Sequence, residues 1–259
     1  MIGVMKKQIG AIGKVTFQEL LREKILWSAF LFGLFSIVLS YFVSTLSFAE
    51  NARLALDFGL TAISLIGGLI AVIMGATLIA KEIQSRTHYT VLTKPVHRWQ
   101  FVLGRVSGLF GVLAVNAALM TLILVIVFSM TGGRLTFQIG QSLLLQVMEF
   151  VVLSTVACLF STFTTATLAA VFATGIWVCG HAMEDIRILS TRIEPYAMRP
   201  VLKAIVTVFP DLSRFDIKAE VSHMIPVSMT TFSLSICYGL LYALFMLAVA
   251  CFLFSRREL

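Results

Sequence analysis

Six long apolar stretches dominate this chain, at roughly 25–47, 59–80, 106–130, 142–163, 164–183 and 232–254. A hydrocarbon layer about 30 Å thick takes about 20 residues of helix to cross. Inside it, each backbone amide must find its partner within the protein, so such stretches fit only as spanning helices. Composition points the same way: 59% of the 259 residues are hydrophobic and 13% are charged, against about 25% charged in a soluble domain. The apolar content excludes disorder. The reading is an all-α integral membrane protein with six transmembrane helices forming a single domain over 1–259. The polar cluster Ser161-Thr162-Phe163-Thr164-Thr165 is read as a tight turn between the fourth and fifth spans. Ser47-Phe48-Ala49 resembles a signal-peptide cleavage site. The apolar run before it is longer than the usual core of about 7–15 residues, so an uncleaved span is expected.

Orientation follows from the basic residues. With the N-terminus in the cytoplasm, the inner segments 1–24, 81–105 and 255–259 hold 12 Lys and Arg against four acids. The outer segments hold eight of each, and the two short outer loops carry only Arg53 and Arg134. This is the positive-inside pattern, which predicts cytoplasmic N- and C-termini in a multi-pass protein of the plasma (inner) membrane. Residues 1–24 are too polar to span. Ile9, Ile12, Thr16, Phe17, Leu20 and Leu21 give them one largely apolar helical face, with Lys7, Lys14 and Arg22 among the polar positions. That pattern predicts an amphipathic interfacial helix lying among lipid headgroups. In the outer loop 184–231, Met198, Val201, Leu202, Ile205, Val208 and Phe209 recur at helical spacing, with Pro200 near the start and Pro210 as the stop. They predict a short helix resting on the spans or on an extracytoplasmic partner.

Several chemistries have no residues to carry them. No GxxxxGK[ST] loop is present to cradle phosphates, and no HExxH or GxSxG motif occurs. The four cysteines (Cys158, Cys179, Cys237 and Cys251) lie in apolar stretches without CxxC spacing, which indicates neither disulfides nor zinc. The chain is therefore not read as an enzyme, and no cofactor or metal is expected on it. The net charge of +7 is distributed as topology determinants rather than as a nucleic-acid surface.

One ionisable residue lies well inside a span. Glu149 falls about 7 residues into the fourth stretch, roughly 10 Å below its outer end. A charge at a helix centre costs about 2.5–3.5 kcal/mol to insert. Ser142, Gln146 and Glu149 are spaced i, i+4, i+7 and form a polar stripe that must face protein or a wet cavity. Gln146 and Glu149 are thus candidates for a transport path, with a packing role as the alternative. Gly67, Ala71 and Gly75 on the second span, and Ala166, Ala170 and Thr174 on the fifth, recur every fourth position and are candidates for dimer packing.

The cytoplasmic loop 81–105 carries the most specific signal. It reads as a short helical segment, a break at Pro95, and an amphipathic helix entering the third span, with Tyr89, Val91 and Leu92 as a docking surface. Glu82, Leu92, Pro95-Val96, Arg98 and Gly104-Arg105 resemble the loop of the permeases of the second ABC exporter class, including those associated with copper-enzyme maturation. Glu19-Leu20-Leu21-Arg22 is similar to the helix preceding their first span. The chain departs from that pattern at Thr87-His88-Tyr89-Thr90, where Gly-Thr-Leu is usual, and at Arg105, where Lys is usual. The resemblance implies a half-transporter that pairs with a second copy or a similar permease. It implies a coupling loop, carrying Glu82, Tyr89, Leu92, Pro95, Arg98, Gly104 and Arg105, set into a separate ATPase subunit that binds ATP and Mg. An ATP-independent channel or carrier, or a membrane anchor for an outer assembly, would share the six spans. ATP-free solute movement would identify the first, and partners captured on the outer loop the second.

Overall fold

The computed structural model describes residues 2–22, 26–46, 51–85, 98–133, 136–192, 209–223 and 225–256, and the regular structure among them is helical. The helices are α1 (Ile2–Arg22), α2 (Leu26–Leu46), α3 (Asn51–Ser85), α4 (Arg98–Met130), α5 (Phe137–Ser161), α6 (Ala166–His181), α7 (Met183–Arg192), α8 (Lys218–Ser222) and α9 (Met229–Arg256), with a 3-10 turn at Leu212–Phe215. Within α3, α4, α5 and α9, the segments Ala52–Lys81, Trp99–Met130, Phe137–Ser161 and Met229–Arg256 are long and apolar enough to cross a membrane. Phe30–Leu39 and Ala166–His181 are shorter apolar helices. Tyr89, Leu92 and Pro95 lie outside the described residues, as does almost all of the amphipathic helix expected over 198–209.

The apolar residues sort into two sets. Leu60, Ile63, Leu109, Met120, Leu145 and Leu153 are among those that fill the core, whereas Leu65, Leu69, Leu122, Leu144, Leu241 and Leu244 point outward. The outward set is what a bilayer solvates, so the same side-chain chemistry serves both surfaces. Lipid tails are as apolar as leucine, so helix association in a membrane depends on close contact rather than on hydrophobicity.

That contact is closest between α3 and α5. A Cβ added at Gly75 would stand 2.5 Å from the Ser154 carbonyl oxygen and 2.9 Å from the Ala157 methyl. Ala71 is fully buried, and Gly67 lies under the ring of Phe150. The Gly67-Ala71-Gly75 stripe, expected at a dimer interface, is therefore taken up within the chain, because α5 seats its backbone there. On α6 the residues turned into the bundle are Ala169 and Ala173. Ala166, Ala170 and Thr174 lie beside them, half-buried.

The N-terminal helix also departs from the sequence reading. Its apolar face packs along α4, with Thr16 and Leu20 buried, instead of lying free for headgroups. Glycines make the trough that receives it: a Cβ at Gly108 would meet the Gly13 carbonyl at 2.6 Å, and one at Gly104 would meet Ile12 at 2.7 Å. Lys7, Lys14 and Arg22 remain outward.

These close approaches give a paired prediction. Gly75→Val forces atoms against backbone that cannot rotate away, and should destabilise by about 1–3 kcal/mol. Gly10→Ala, on an outward position of α1 with nothing within 4 Å, should be neutral or stabilise by about 0.5–1 kcal/mol. Thermal unfolding of the purified variants in one detergent checks both signs.

Candidate functional site

Glu149 sits midway along α5, with Phe137 and Ser161 each 12 residues away, about 18 Å along the axis. This is deeper than the sequence suggests, because α5 begins five residues before the apolar stretch does. The carboxyl group is completely buried. Its Oε1 accepts a hydrogen bond from Trp177 Nε1 at 2.9 Å and lies 3.5 Å from His181 Nε2. Its Oε2 has no protein partner.

The rest of the stripe continues from Glu149 towards the α5 N-terminus. Gln146 is buried, and its Nε2 donates to the Leu60 carbonyl of α3 at 3.0 Å. A carbonyl only accepts, so the amide nitrogen must face it, and Gln146 Oε1 is left unpartnered. Ser142 Oγ, one turn further on, is also buried and unpartnered. Three such oxygens on one helix face are costly, at about 1–3 kcal/mol for each group that folding strips of its hydrogen bonds.

Trp177 and His181 come from the last turn of α6, which the Thr162–Thr165 reversal folds back beside α5. The 16 residues of α6 span about 24 Å, less than a bilayer core. Beyond its end lies the segment 209–217. Leu212 sits over Gly180, where a Cβ would meet its side chain at 2.7 Å, and Phe215 packs against Gly239 of α9. Both side chains are fully buried. This segment forms a lid over the column that α6 does not complete.

One carboxylate fastens the lid. Asp211 Oδ2 accepts from Arg187 Nη2 at 2.6 Å and from Arg214 Nε at 3.0 Å, and Oδ1 accepts from Ser213 Oγ. The Asp211 backbone N–H donates to the Tyr238 hydroxyl of α9 at 2.9 Å, and Arg214 lies over the Tyr238 ring. Burial of Asp211 acts to raise its pKa, but the donors from Ser213, Arg187 and Arg214 outweigh it and hold the carboxyl below the usual range. A second tie joins the lid region to α3, where Ser222 Oγ donates to Asp57 Oδ1 at 3.0 Å and Arg53 pairs with His223 at 2.7 Å. Beside it is a largely apolar cavity of about 230 Å³ lined by Leu56, Phe128, Ile139 and Val221.

At the opposite end, Arg105 Nη1 donates to Glu19 Oε2 at 2.6 Å, fastening α1 to α4 seven residues after Arg98 opens that helix. Gly104 supports the same contact. Glu82 lies in the last turn of α3. Sequence reasoning singled out Gln146 and Glu149 but not Trp177, His181, Asp211, Arg187 or Tyr238. These are ordinary residues in the sequence and acquire a role only through the α5–α6 reversal and the lid.

A family model described as ABC-2 family transporter protein matches residues 14–180. The match runs from α1 into the last turn of α6, so it includes Glu149 and Trp177 and stops short of His181 and the lid. No curated protein matches the chain.

The Asp211 clasp should respond to acid. A carboxyl held below its unfolded value contributes stability that is fully present above that value, about 3.9. The contribution is lost as pH falls through the lower native value. Asp211→Asn should therefore lower thermal stability at neutral pH, by about 1.5–3 kcal/mol for lost bonds to a charged group. It should also flatten the acid limb of a plot of Tm against pH. An unchanged acid limb would show that the clasp does not hold the lid.

Proposed function

The chain belongs to the ABC-2 family of transporter proteins, and on that premise we propose that it is the membrane-spanning permease half-subunit of an ATP-driven transporter. The family match over more than half of the chain carries the reading. ATP is bound and hydrolysed on a separate ATPase subunit, and two permease copies pair around the transport path. Helices α2 and α6 complete a set of six spans, with both termini, α1 and the loop 81–105 on the cytoplasmic side and the lid outside. The positive-inside count supports that orientation. Export is the direction suggested by the resemblance of the coupling loop to exporter permeases.

In this reading the loop carrying Glu82, Tyr89, Leu92, Pro95 and Arg98 docks on the ATPase. The Glu19–Arg105 ion pair supports a role for α1 as part of the same moving unit, since it ties that helix to the α4 segment following the loop. Gln146 and Glu149 lie on the transport path. Their burial beside unpartnered acceptor oxygens supports this, because a path needs groups that a passing solute can satisfy.

Two experiments test the reading. Tyr89→Asp combined with Leu92→Asp should detach the co-purifying ATPase while the protein still inserts, and retention of ATPase and transport would refute docking by the loop. Glu19→Arg and Arg105→Glu should each lower ATP-driven transport, and combining them should restore it through the reversed pair. No recovery in the double variant would remove the ion pair from coupling.

A further inference from the structure

We propose that Glu149 and His181 together form a proton-binding site that holds a single proton between them and is loaded from the lid side. The ring nitrogens of His181 have fixed and different neighbours. Nδ1 is 3.2 Å from the Trp177 carbonyl oxygen. A carbonyl offers only lone pairs, so Nδ1 must carry hydrogen. If the ring is neutral, Nε2 is then a bare lone pair, and it faces Glu149 Oε1 at 3.5 Å. Two lone pairs that face each other at a fully buried carboxyl group repel. One proton relieves the conflict, either on Nε2, giving an imidazolium beside a carboxylate, or on the carboxyl group. The pair is neutral overall in both forms, which is the only inexpensive state for a fully buried carboxyl group.

The two partners differ in access, and that sets the route. Glu149 has no exposure to solvent, whereas the His181 side chain keeps 29% of its own. His181 ends α6 directly below the lid, so a proton arriving from that side meets the imidazole first. The other charged groups that act on Glu149 are Lys218 and Asp216 of the lid region, and these pair with each other at 3.4 Å. Asp57 of α3 is engaged by Ser222, and Tyr238 and Tyr242 are the titratable groups that α9 brings to this end. Trp177 fixes both members, with its N–H on Glu149 Oε1 and its carbonyl on His181 Nδ1. The pair lies on the path proposed above and so adds a proton to what that path handles. Its existence does not depend on an ATPase.

The sign of the pH response follows from counting protons. Unfolded, Glu and His titrate near 4.3 and 6.5. Between those values the unfolded chain also holds one proton on the two groups, and the pair contributes its full stability. Above about 6.5 the unfolded histidine releases its proton, and a native pair that holds one proton there loses stability as pH rises. Below about 4.3 the unfolded chain takes up a second proton, and stability falls again.

The test is the thermal stability of the purified full chain from about pH 4 to 9, for wild type, Glu149→Gln, His181→Gln and the double variant. Gln at 149 can still donate to a neutral imidazole, and Gln at 181 can still donate to the carboxylate, so both single variants retain a contact. The difference in Tm between wild type and either single variant should shrink as pH rises above about 6.5, because neither variant then holds a proton that its unfolded chain has released. The double variant should lose little more than one single variant, as expected for one shared proton. Additive losses, or a wild-type pH profile surviving in Glu149→Gln, would overturn the proposal. Loss of ATPase association with this pH profile intact would instead sink the permease reading and leave the proton site standing.

Discussion

Water is absent from the bilayer core, so a polar group there is satisfied by the protein or not at all. Much of the structure can be read as compliance with that constraint. Hydroxyl side chains on the long helices turn back onto their own backbone: Thr77 bonds the Ile73 carbonyl, Ser129 that of Val125, Thr155 that of Val152, and Thr174 that of Ala170. Each hydroxyl is thereby satisfied within its own helix. Ser36 of α2 is one exception to this pattern, and the other unpartnered oxygens among the described residues, those of Ser142, Gln146 and Glu149, share one face of α5. Ser142 has the same local option as the other serines and does not use it. The stripe therefore keeps an acceptor surface available beside α3, which a purely structural helix would have eliminated.

The lid follows from the same constraint. A helix of 16 residues leaves part of the membrane thickness uncovered, and an open column there would expose Glu149 to solvent. Leu212 and Phe215 fill it with apolar side chains, but their backbone is irregular and needs partners of its own. The Leu212 N–H donates to the Pro210 carbonyl and the Asp216 N–H to that of Ser213, while Asp211 fixes two arginines and a serine with its side chain and its amide hydrogen is bonded to Tyr238. A charged clasp at the rim thus supports an apolar plug beneath it. The opposite arrangement would place the charges in hydrocarbon, where they are costly.

The helical architecture was legible because long apolar stretches leave the backbone few alternatives. Glu149 was legible for a related reason, since a lone carboxylate among apolar residues is conspicuous. Its partners were not. Trp177 and His181 lie 28 and 32 positions further along, and no periodicity within one helix links them to residue 149. They meet it because α6 reverses beside α5 and ends at that depth. The small-residue stripe shows the converse difficulty. Spacing at Gly67, Ala71 and Gly75 announces that something approaches closely, but does not say whether the visitor is another copy or a neighbouring helix. Here Phe150 and the Ser154 carbonyl are the visitors. The face of α1 misled in the same way. Amphipathicity indicates that one side needs cover, and two glycines on α4, invisible to a hydrophobicity pattern, supply it.

The close α3–α5 contact has a mechanical consequence if the α1 end is where an ATPase docks. Glu82 lies in the last turn of α3, and two turns earlier Gly75 is seated on the Ser154 carbonyl of α5. Backbone against backbone leaves no side chain to absorb a displacement, so α3 and α5 must shift together or separate entirely. Ser154 is five residues from Glu149. A rotation imposed on the end of α3 is therefore delivered to the carboxyl group about 8 Å away along α5, with little compliance between them. The α5–α6 contact at Glu149 is of a different kind, resting on one indole N–H and one imidazole. Polar contacts of that sort exchange partners readily, whereas interlocked backbones do not. The two interfaces thus divide the work: the first carries motion inward, and the second is where the motion can change what Glu149 is bonded to.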